Sequence, residues 1–355
     1  MGQVRTSRIF YADILRALAI YAVIILHNAA DYDDQFGSIP QSHWWAGAIW
    51  NGLVRFCVPL FVSLSGAFLL KPGKEVTIAE IFKKRLPKIL IPLFFWSIIY
   101  IIYAGFESKE GINSIDWPEE LKIFYQGPVI YHFWFLYMLI GIYLLYPIIN
   151  LFITAAKPIY VRYFILVWFL SNCVIKIIDV ITDTSFGVEN NFFAEYVGYF
   201  VLGYYLTHYT FSKTQLRLMY ILGIFGFIVS IFTSYLCIHF NFESRSELIE
   251  SDFTPDVTLC VTALILWFKN RIYGEENQSA IKRSISQISQ ASFGIYLVHV
   301  LVMQIIFSDR RSYIDLVDGW HPAWAIPLKS LIILVVSFVI VKLLSQIPLL
   351  KKVVG

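Results

Sequence analysis

The sequence predicts an all-α fold, a polytopic membrane helix bundle of about ten transmembrane helices with both termini cytoplasmic. Three observations lead to this prediction. Hydrophobic residues make up 58% of the chain and charged residues only 15%, whereas soluble domains carry about a quarter charged residues. The apolar residues are gathered in segments of about 20, the length that a helix needs to cross the hydrocarbon core of a bilayer. Lys and Arg are concentrated in every second connection between these segments.

The predicted spans follow one another along the whole chain, and we therefore expect a single integral-membrane domain over residues 1–355. The spans are 9–29, 46–70, 86–105, 131–152, 159–178, 192–209, 217–238, 254–270, 286–307 and 323–347. The sixth and the eighth are the weakest, because Gly198 and Gly203 interrupt the former, and Pro255 and Asp256 the latter.

The connections indicate the orientation, since basic connections stay on the cytoplasmic side of a membrane. The stretch K-P-G-K-E-V-T-I-A-E-I-F-K-K-R-L-P-K (71–88) is the most basic of them, and connections of the opposite set, such as 105–130 and 239–253, are acidic. Both termini are therefore expected in the cytoplasm. The four cysteines are widely spaced without a C-x-x-C pair, which favours packing residues over a zinc site or a disulfide framework.

The first span carries an unusual pair of polar residues in the stretch D-I-L-R-A-L-A-I-Y-A-V-I-I-L-H-N (13–28). Arg16 and His27 are eleven residues apart, which is almost three helical turns, so both lie on one face, about 16 Å apart along the axis. Asp13 lies three residues before Arg16 and can pair with it. Ionisable residues are costly in a membrane span and normally have a partner or a task there. This face therefore predicts a polar stripe that links the two sides of the bilayer.

Further polar residues fall in other spans. Arg55 lies in the second span, His132 opens the fourth and His299 lies in the ninth. Each histidine alone is explained more simply as a hydrogen-bonded packing residue, but three of them in the outer half of the bilayer, with two arginines, favour a functional cavity. A zinc site built from the three histidines is an alternative that no short ligand spacing supports, and no metal is expected.

Several short segments, in order along the chain, resemble a known family. The spacing of Arg16 and His27, preceded by Asp13, is the first of them. The others are V-R-F-C-V-P-L-F-V-S-L-S-G (54–66), K-K-R-L-P-K-I-L-I-P (83–92), Y-H-F-W-F-L-Y (131–137), Y-F-V-L-G-Y-Y-L (199–206) and S-F-G-I-Y-L-V-H (292–299). Together they resemble the acyltransferase-3 family of integral-membrane O-acyltransferases. The resemblance is strongest to the stand-alone branch typified by O-acetylation of enterobacterial common antigen.

The resemblance implies that an acyl group, usually acetyl, is transferred from cytoplasmic acetyl-CoA to a hydroxyl of an envelope glycan or its lipid-linked precursor. The implied partners are acyl-CoA, a carbohydrate acceptor outside the cytoplasm and membrane lipid, with no nucleic acid, in a bacterial inner membrane. The family's basic R-x-x-R motif maps to Arg85 and Lys88, where the Lys departs from the pattern. We expect Arg85, Lys84 and Lys88 to bind the phosphates of acyl-CoA.

The family's functional Arg and His map to Arg16 and His27, and His132 and His299 match positions in the stand-alone branch. We favour His27 as the general base that deprotonates the acceptor hydroxyl; an acyl-histidine intermediate is the alternative. Arg16 or Arg55 would hold the ligand or stabilise the oxyanion, although Arg16 could instead be structural through Asp13. The competing hypothesis from another functional class is a secondary transporter or flippase for a glycan precursor.

Overall fold

The protein is all-helical over the residues that its computed structural model describes. These residues are 9–33, 35–73, 75–108, 111–182, 195–240, 251–271, 279–307 and 319–355. No β-strand occurs among them, which confirms the predicted all-α class. The four cysteines are buried free thiols, as expected of packing residues.

The α-helices are separated by short turns, some of them 3₁₀- or π-helical. In chain order they are α1 Phe10–Asp33, α2 Gln41–Val54, α3 Cys57–Leu69, α4 Ile78–Glu80, α5 Pro87–Glu107, α6 Trp117–Gln126, α7 Trp134–Ala155, α8 Pro158–Phe169, α9 Ile175–Thr182, α10 Glu195–His208, α11 Lys213–His239, α12 Pro255–Arg271, α13 Ala280–Phe307 and α14 Pro322–Gln346.

Eight helical segments among the described residues are long and apolar enough to cross a membrane. They are Phe10–Tyr32, Gln41–Leu69, Ile78–Glu107, Tyr131–Ala155, Pro158–Thr182, Lys213–His239, Ala280–Phe307 and Pro322–Gln346. Each overlaps one of the predicted spans. The protein is thus a polytopic membrane protein by the length and composition of its helices.

The two spans that the sequence marks as weak also contain helices. α10 overlaps the sixth predicted span and α12 the eighth. Most residues of α10 are buried.

The helices group into two compact units. The first unit takes its described residues from 1–69, 157–292 and 316–332, and the second from 70–156, 293–315 and 333–355. α13 and α14 contribute residues to both.

In the first unit, α10 packs against α3 with very close backbones. A Cβ added at Gly66 would lie 1.7 Å from the carbonyl oxygen of Phe200, and one at Gly203 would lie 1.8 Å from that of Ser63. Only glycine fits at these two positions, because backbone atoms of the partner helix occupy the space. The contact is typical of membrane helices, which associate through small residues.

In the second unit, α5 is tied to the end of the chain and to α13. The indole of Trp96 donates a hydrogen bond of 2.8 Å to the carbonyl of Val353. Gly294 of α13 allows the carbonyl of Val354 and the side chain of Val341 to approach closely. Trp96, in the middle of α5, is buried by this packing.

The basic stretch 71–88, treated as a connection in the sequence analysis, is helical from Ile78 onward. Thr77 caps α4 by accepting a hydrogen bond of 3.2 Å from the amide of Glu80. A π-helical turn, Ile81–Arg85, then leads into α5. Lys83, Lys84 and Arg85 therefore lie on a π-helical turn, a structure that is frequent at functional sites.

Candidate functional site

Asp13, Arg16 and His27 lie on one uninterrupted helix, α1. Because no residue breaks the helix between them, Arg16 and His27 lie on nearly the same face, about 16 Å apart along the axis. Both side chains are partly exposed. α1 thus carries Arg16 and His27 on one face, and a polar stripe linking the two sides of the bilayer stays a prediction.

Asp13 is buried, with 1% of its surface exposed. Ser286 and Ser289 of α13 donate their hydroxyl hydrogens to its two carboxylate oxygens, each at 2.8 Å. The guanidinium of Arg16 lies farther away, with Nη1 at 4.0 Å from Oδ1 of Asp13. The serines therefore bind the carboxylate by short hydrogen bonds, whereas its ion pair with Arg16 is long.

Arg16 also stacks on an aromatic ring. The carbon atom of its guanidinium lies 4.9 Å from the ring centroid of Phe68 on α3, a cation–π arrangement. The side chain remains 33% exposed. This geometry orients the guanidinium while leaving it partly exposed.

His27 lies in a part of α1 that α14 holds in place. The neighbouring Asn28 donates its amide to the hydroxyl of Ser330 at 3.2 Å. Almost two helical turns before Asn28, Tyr21 donates its hydroxyl to the carbonyl of Pro327 at 2.9 Å. These two contacts fix the backbone from which His27 projects.

Arg55 lies at a break in the second span. α2 ends at Val54 and α3 begins at Cys57, so the second span, Gln41–Leu69, contains a short turn at Arg55. Pro59 lies in the first turn of α3, where a missing N–H costs no helical hydrogen bond. Arg55 is 8% exposed, so the break places a guanidinium in the interior of the first unit.

Asp252, which lies just before α12, interacts electrostatically with Arg55. Its Oδ2 atom accepts a hydrogen bond of 2.7 Å from the hydroxyl of Tyr196, and its carbonyl accepts one of 2.6 Å from Tyr199. Burial raises the pKa of the Asp252 carboxyl to about 6, while the Tyr196 hydrogen bond and the charges of Arg55 and Lys176 act in the opposite direction. The first unit thus contains a second polar cluster that the sequence analysis did not single out.

His132 and His299 meet in the second unit. Their ring centroids are 5.2 Å apart in an edge-to-face arrangement. His132 is 1% exposed and His299 is fully buried. The Nδ1 atom of His299 lies 2.7 Å from the carbonyl oxygen of Tyr296; because a carbonyl only accepts, Nδ1 carries a proton in this hydrogen bond.

Two tyrosines tie this histidine pair to the surrounding helices. Tyr296 donates its hydroxyl to the carbonyl of His132. Tyr100 of α5 donates its hydroxyl to the carbonyl of Leu297 and accepts a hydrogen bond from the amide of Leu301, both at 3.0 Å. The rings of Tyr100 and His132 lie 5.5 Å apart. The pair is therefore held in a tightly packed aromatic cluster.

Lys84, Arg85 and Lys88 lie together at the start of α5. Lys84 and Lys88 are exposed and, being four residues apart, are neighbours on the helix surface. Arg85 is 26% exposed and its Nη2 atom lies 3.4 Å from a carboxylate oxygen of Glu80. The turn therefore presents two mobile ammonium groups beside one positioned guanidinium, a suitable set for binding phosphates.

A family model described as an acyltransferase domain, that of the acyltransferase-3 family, matches residues 9–342. The chain belongs to the acyltransferase-3 family. Separate comparisons with curated proteins and with solved structures found no match. Membership of this family, together with the eight apolar helices, makes the protein a multi-pass membrane acyltransferase.

The expected site residues of this acyltransferase are divided between its units. Arg16, His27 and Arg55 belong to the first unit. The basic turn and the histidine pair belong to the second. Within the described part of the chain, no group of three or more His, Cys, Asp or Glu side chains is arranged to hold a metal ion.

Asp252 is the residue of the site region that sequence reasoning missed. It lies in the acidic connection 239–253, where a carboxylate gives no sign of burial. The available signal was its position three residues before Pro255, because proline is favoured at the first position of a helix. That signal places Asp252 beside a helix start, but it does not reveal the contacts with Tyr196 and Arg55.

Proposed function

We propose that this acyltransferase transfers an acetyl or similar acyl group from cytoplasmic acyl-CoA to a hydroxyl of an envelope glycan or of its lipid-linked precursor. The observation that carries the proposal is the α1 geometry, in which an oriented Arg16 and His27 share one face of a membrane-spanning helix. Membership of the acyltransferase-3 family supports acyl transfer as the reaction.

His27 is proposed as the general base. It takes the proton of the acceptor hydroxyl while the oxygen attacks the thioester carbonyl carbon, so that a C–O bond forms as the C–S bond breaks. The proton passes from His27 to the departing thiolate, which leaves free CoA and an ester. Imidazole suits this task because it titrates near neutral pH. Attack by His27 itself, through an acyl-histidine, is the alternative route.

Arg16 and Arg55 are proposed to act through their charge. Both guanidinium groups belong to the first unit, one accessible on α1 and one buried at the helix break. A preorganised cation in a site of low dielectric constant stabilises the oxyanion that develops on the thioester oxygen. Asp252 would position Arg55 for this role.

The basic turn of the second unit is proposed to bind the donor. Arg85, held by Glu80, would contact the CoA phosphates directionally, and Lys84 and Lys88 would supply flexible positive charge. Because Lys replaces Arg at position 88, only Arg85 can make a bidentate contact within the motif. His132 and His299 remain candidates for roles on the acceptor side.

The proposed setting is a bacterial inner membrane, with both termini in the cytoplasm and one acyltransferase domain over 1–355. We propose that α10 and α12, which overlap the sixth and eighth predicted spans, complete a set of ten spans with the eight apolar segments. An even number of spans brings the C-terminus to the same side as the N-terminus. The basic connections would lie on that side, which is then the cytoplasmic one. We also propose that the chain is similar to the family members that O-acetylate enterobacterial common antigen.

Acetyl-CoA binding by the purified protein tests the donor assignment. The wild type is expected to bind saturably, and Arg85→Ala to bind at least about tenfold more weakly, because a hydrogen bond to a charged group contributes roughly 1.5–3 kcal/mol. His27→Ala is expected to keep wild-type affinity. The matched control is Arg162→Ala, which removes an exposed arginine of α8 and should leave affinity unchanged.

Absence of acetyl-CoA binding by the folded wild-type protein would contradict the proposal and favour the transporter hypothesis. One observation favours that hypothesis: the second span is interrupted at Arg55. Transporters build substrate sites where membrane helices are interrupted. Equal weakening by Arg85→Ala and Arg162→Ala would mean that general charge, rather than the basic turn, attracts CoA.

A further inference from the structure

Two serines of α13 and a carboxylate of α1 form a contact that the proposed mechanism does not use. Ser286, Ser289, Asp13 and Arg16 all belong to the first unit. Ser286 donates to Oδ2 of Asp13 and Ser289 donates to Oδ1, each over 2.8 Å. Asp13 and Ser289 are buried. A carboxylate that is removed from water is costly unless it is hydrogen-bonded, so both hydroxyls stabilise it.

The same face of α13 contacts α1 at a second point. Ser286 and Ser289 are three residues apart and are neighbours on the helix surface, as is Lys282, four residues before Ser286. The Nζ atom of Lys282 lies 5.4 Å from the ring centroid of Phe10, which precedes Asp13 by three residues on α1. Both contacts advance in the same direction along the two helices, which therefore run parallel here. α13 thus fixes the register of the first turn of α1.

The two oxygens of Asp13 have different neighbours. Oδ2 is the acceptor for Ser286, whereas Oδ1 is the acceptor for Ser289 and also lies 4.0 Å from Nη1 of Arg16. A direct hydrogen bond between a guanidinium and a carboxylate is about 2.7–2.9 Å long, so Nη1 stops about 1 Å short of one. The guanidinium carbon lies 4.9 Å from the ring centroid of Phe68. Ser289 and Arg16 therefore share one carboxylate oxygen, and the serine holds the closer place.

Loss of the Ser289 hydroxyl would change the position of the guanidinium. Oδ1 would lose a short hydrogen bond while a positive charge lies 4.0 Å away, and opposite charges attract strongly where the dielectric constant is low. Ser286 would still hold Oδ2, so the carboxylate would stay in place. The longer and more flexible side chain of Arg16 would then close the gap, which would draw the guanidinium away from Phe68 and into a direct ion pair.

We infer that Ser289 is a positioning residue for Arg16. Its hydroxyl occupies Oδ1 of Asp13 and so keeps the guanidinium over Phe68 instead of in a direct ion pair with the carboxylate. The inference rests on the proposed function, in which Arg16 stabilises the oxyanion, and it adds the residue that sets the place of this charge.

Chemical labelling of Arg16 tests this role without any substrate. Phenylglyoxal reacts with accessible guanidinium groups, and the side chain of Arg16 is 33% exposed. The full chain is placed in phosphatidylcholine nanodiscs, and the rate of modification at Arg16 is measured by peptide mass spectrometry. Ser289→Ala is expected to slow this labelling at least about threefold, because the direct ion pair protects the guanidinium. The matched control Ser284→Ala removes an exposed serine of the same helix and should label at the wild-type rate.

A double variant separates positioning from a general effect on packing. Asp13→Asn removes the negative charge that attracts Arg16, so the combination of Asp13→Asn with Ser289→Ala should label Arg16 at no less than the wild-type rate. An effect that acts through the carboxylate disappears in this combination, whereas a loosened helix contact persists. If Ser289→Ala does not fold, Ser289→Cys carries the same test, because it keeps the size of the side chain and replaces the hydroxyl by a weak donor.

A wild-type labelling rate in folded Ser289→Ala would overturn the inference. Slow labelling that persists in the double variant, or that Ser284→Ala shares, would overturn it as well, since the effect would then not pass through Oδ1 of Asp13.

Release of CoA from acetyl-CoA, measured in inside-out membrane vesicles that carry the acceptor glycan, reports on the proposed function separately. Ser289→Ala is expected to lower kcat at least about tenfold and to leave the KM for acetyl-CoA within about twofold, because the displaced charge acts in the transition state. If the wild type releases CoA and Ser289→Ala does so with the same kcat, the inference fails and the proposed function stands. If Arg16 labels as expected and the wild type releases no CoA, the positioning contact stands and the transfer mechanism fails.

Discussion

At the scale of single residues, Asp252 shows how burial changes a carboxylate. It faces Tyr196 and Glu195 from α10, Arg55 from the break between α2 and α3, and Lys176 from α9. Burial outweighs the nearby positive charges and raises its pKa to about 6. The folded protein therefore holds a proton on Asp252 at pH values where the unfolded chain has already lost it.

This difference predicts a pH-dependent stability. Between about pH 4 and about pH 6 unfolding releases the proton of Asp252, so the stabilising contribution is complete below this window and is lost as pH rises through it. The thermal midpoint of the wild type should therefore fall relative to that of Asp252→Asn across the window, by the equivalent of at most about 3 kcal/mol. Asparagine keeps an acceptor for the Tyr196 hydroxyl but does not titrate.

Asp31→Asn is the control for this series, because Asp31 is exposed on α1 and its removal should leave the pH curve parallel to that of the wild type. A wild-type curve parallel to that of Asp252→Asn would show that Asp252 titrates alike in the folded and unfolded states, contrary to our account.

The sequence predicts the relative position of two residues correctly when both lie on one helix. The spacing of Arg16 and His27 translates directly into a shared face, because α1 is an unbroken helix. The contacts around this face could not be predicted from the sequence. The hydrogen bonds of Ser286 and Ser289 to Asp13 join residues that are more than 270 positions apart. No local pattern encodes such a contact.

At the scale of elements, the α3–α10 contact depends on two glycines. Gly66→Ala and Gly203→Ala each place a methyl group within 2 Å of a backbone carbonyl oxygen of the other helix. The helices would have to separate, at a cost of about 3 kcal/mol or more. We expect both variants to lower the thermal midpoint and to yield less monodisperse protein in detergent.

Gly141→Ala provides the matched control, since Gly141 lies within α7 and nothing surrounds its would-be Cβ within 4 Å. Alanine should be neutral there or stabilise the helix by up to about 1 kcal/mol. A wild-type midpoint for Gly66→Ala would contradict the close helix contact.

Two element boundaries were missed although the sequence contains their signals. The T-I-A-E stretch at Thr77 to Glu80 has the capping-box pattern of a helix start, yet the surrounding positive charges favoured a connection. Pro59 fits the first turn of a new helix after Arg55, but the apolar run around it resembles one continuous span. At both boundaries, the charge or hydrophobicity of the surrounding segment concealed the signal for a helix start.

At the scale of the whole molecule, the sequence predicted the all-α class and the multi-pass character because long apolar segments have few alternatives in a membrane. The eight segments that can span by length all correspond to predicted spans. α10 and α12 overlap the other two predicted spans. The count of ten and the cytoplasmic termini remain predictions.

The most direct test of the account follows labelled acetyl from acetyl-CoA in inside-out membrane vesicles that contain the acceptor glycan, with wild type, His27→Ala and the control His321→Ala. We expect wild type and His321→Ala to release CoA and to acetylate the glycan in equal amounts, and folded His27→Ala to do neither at a detectable rate. Acetylation by His27→Ala at the wild-type rate would contradict the central role of the α1 histidine, and glycan movement without CoA release would contradict acyl transfer itself.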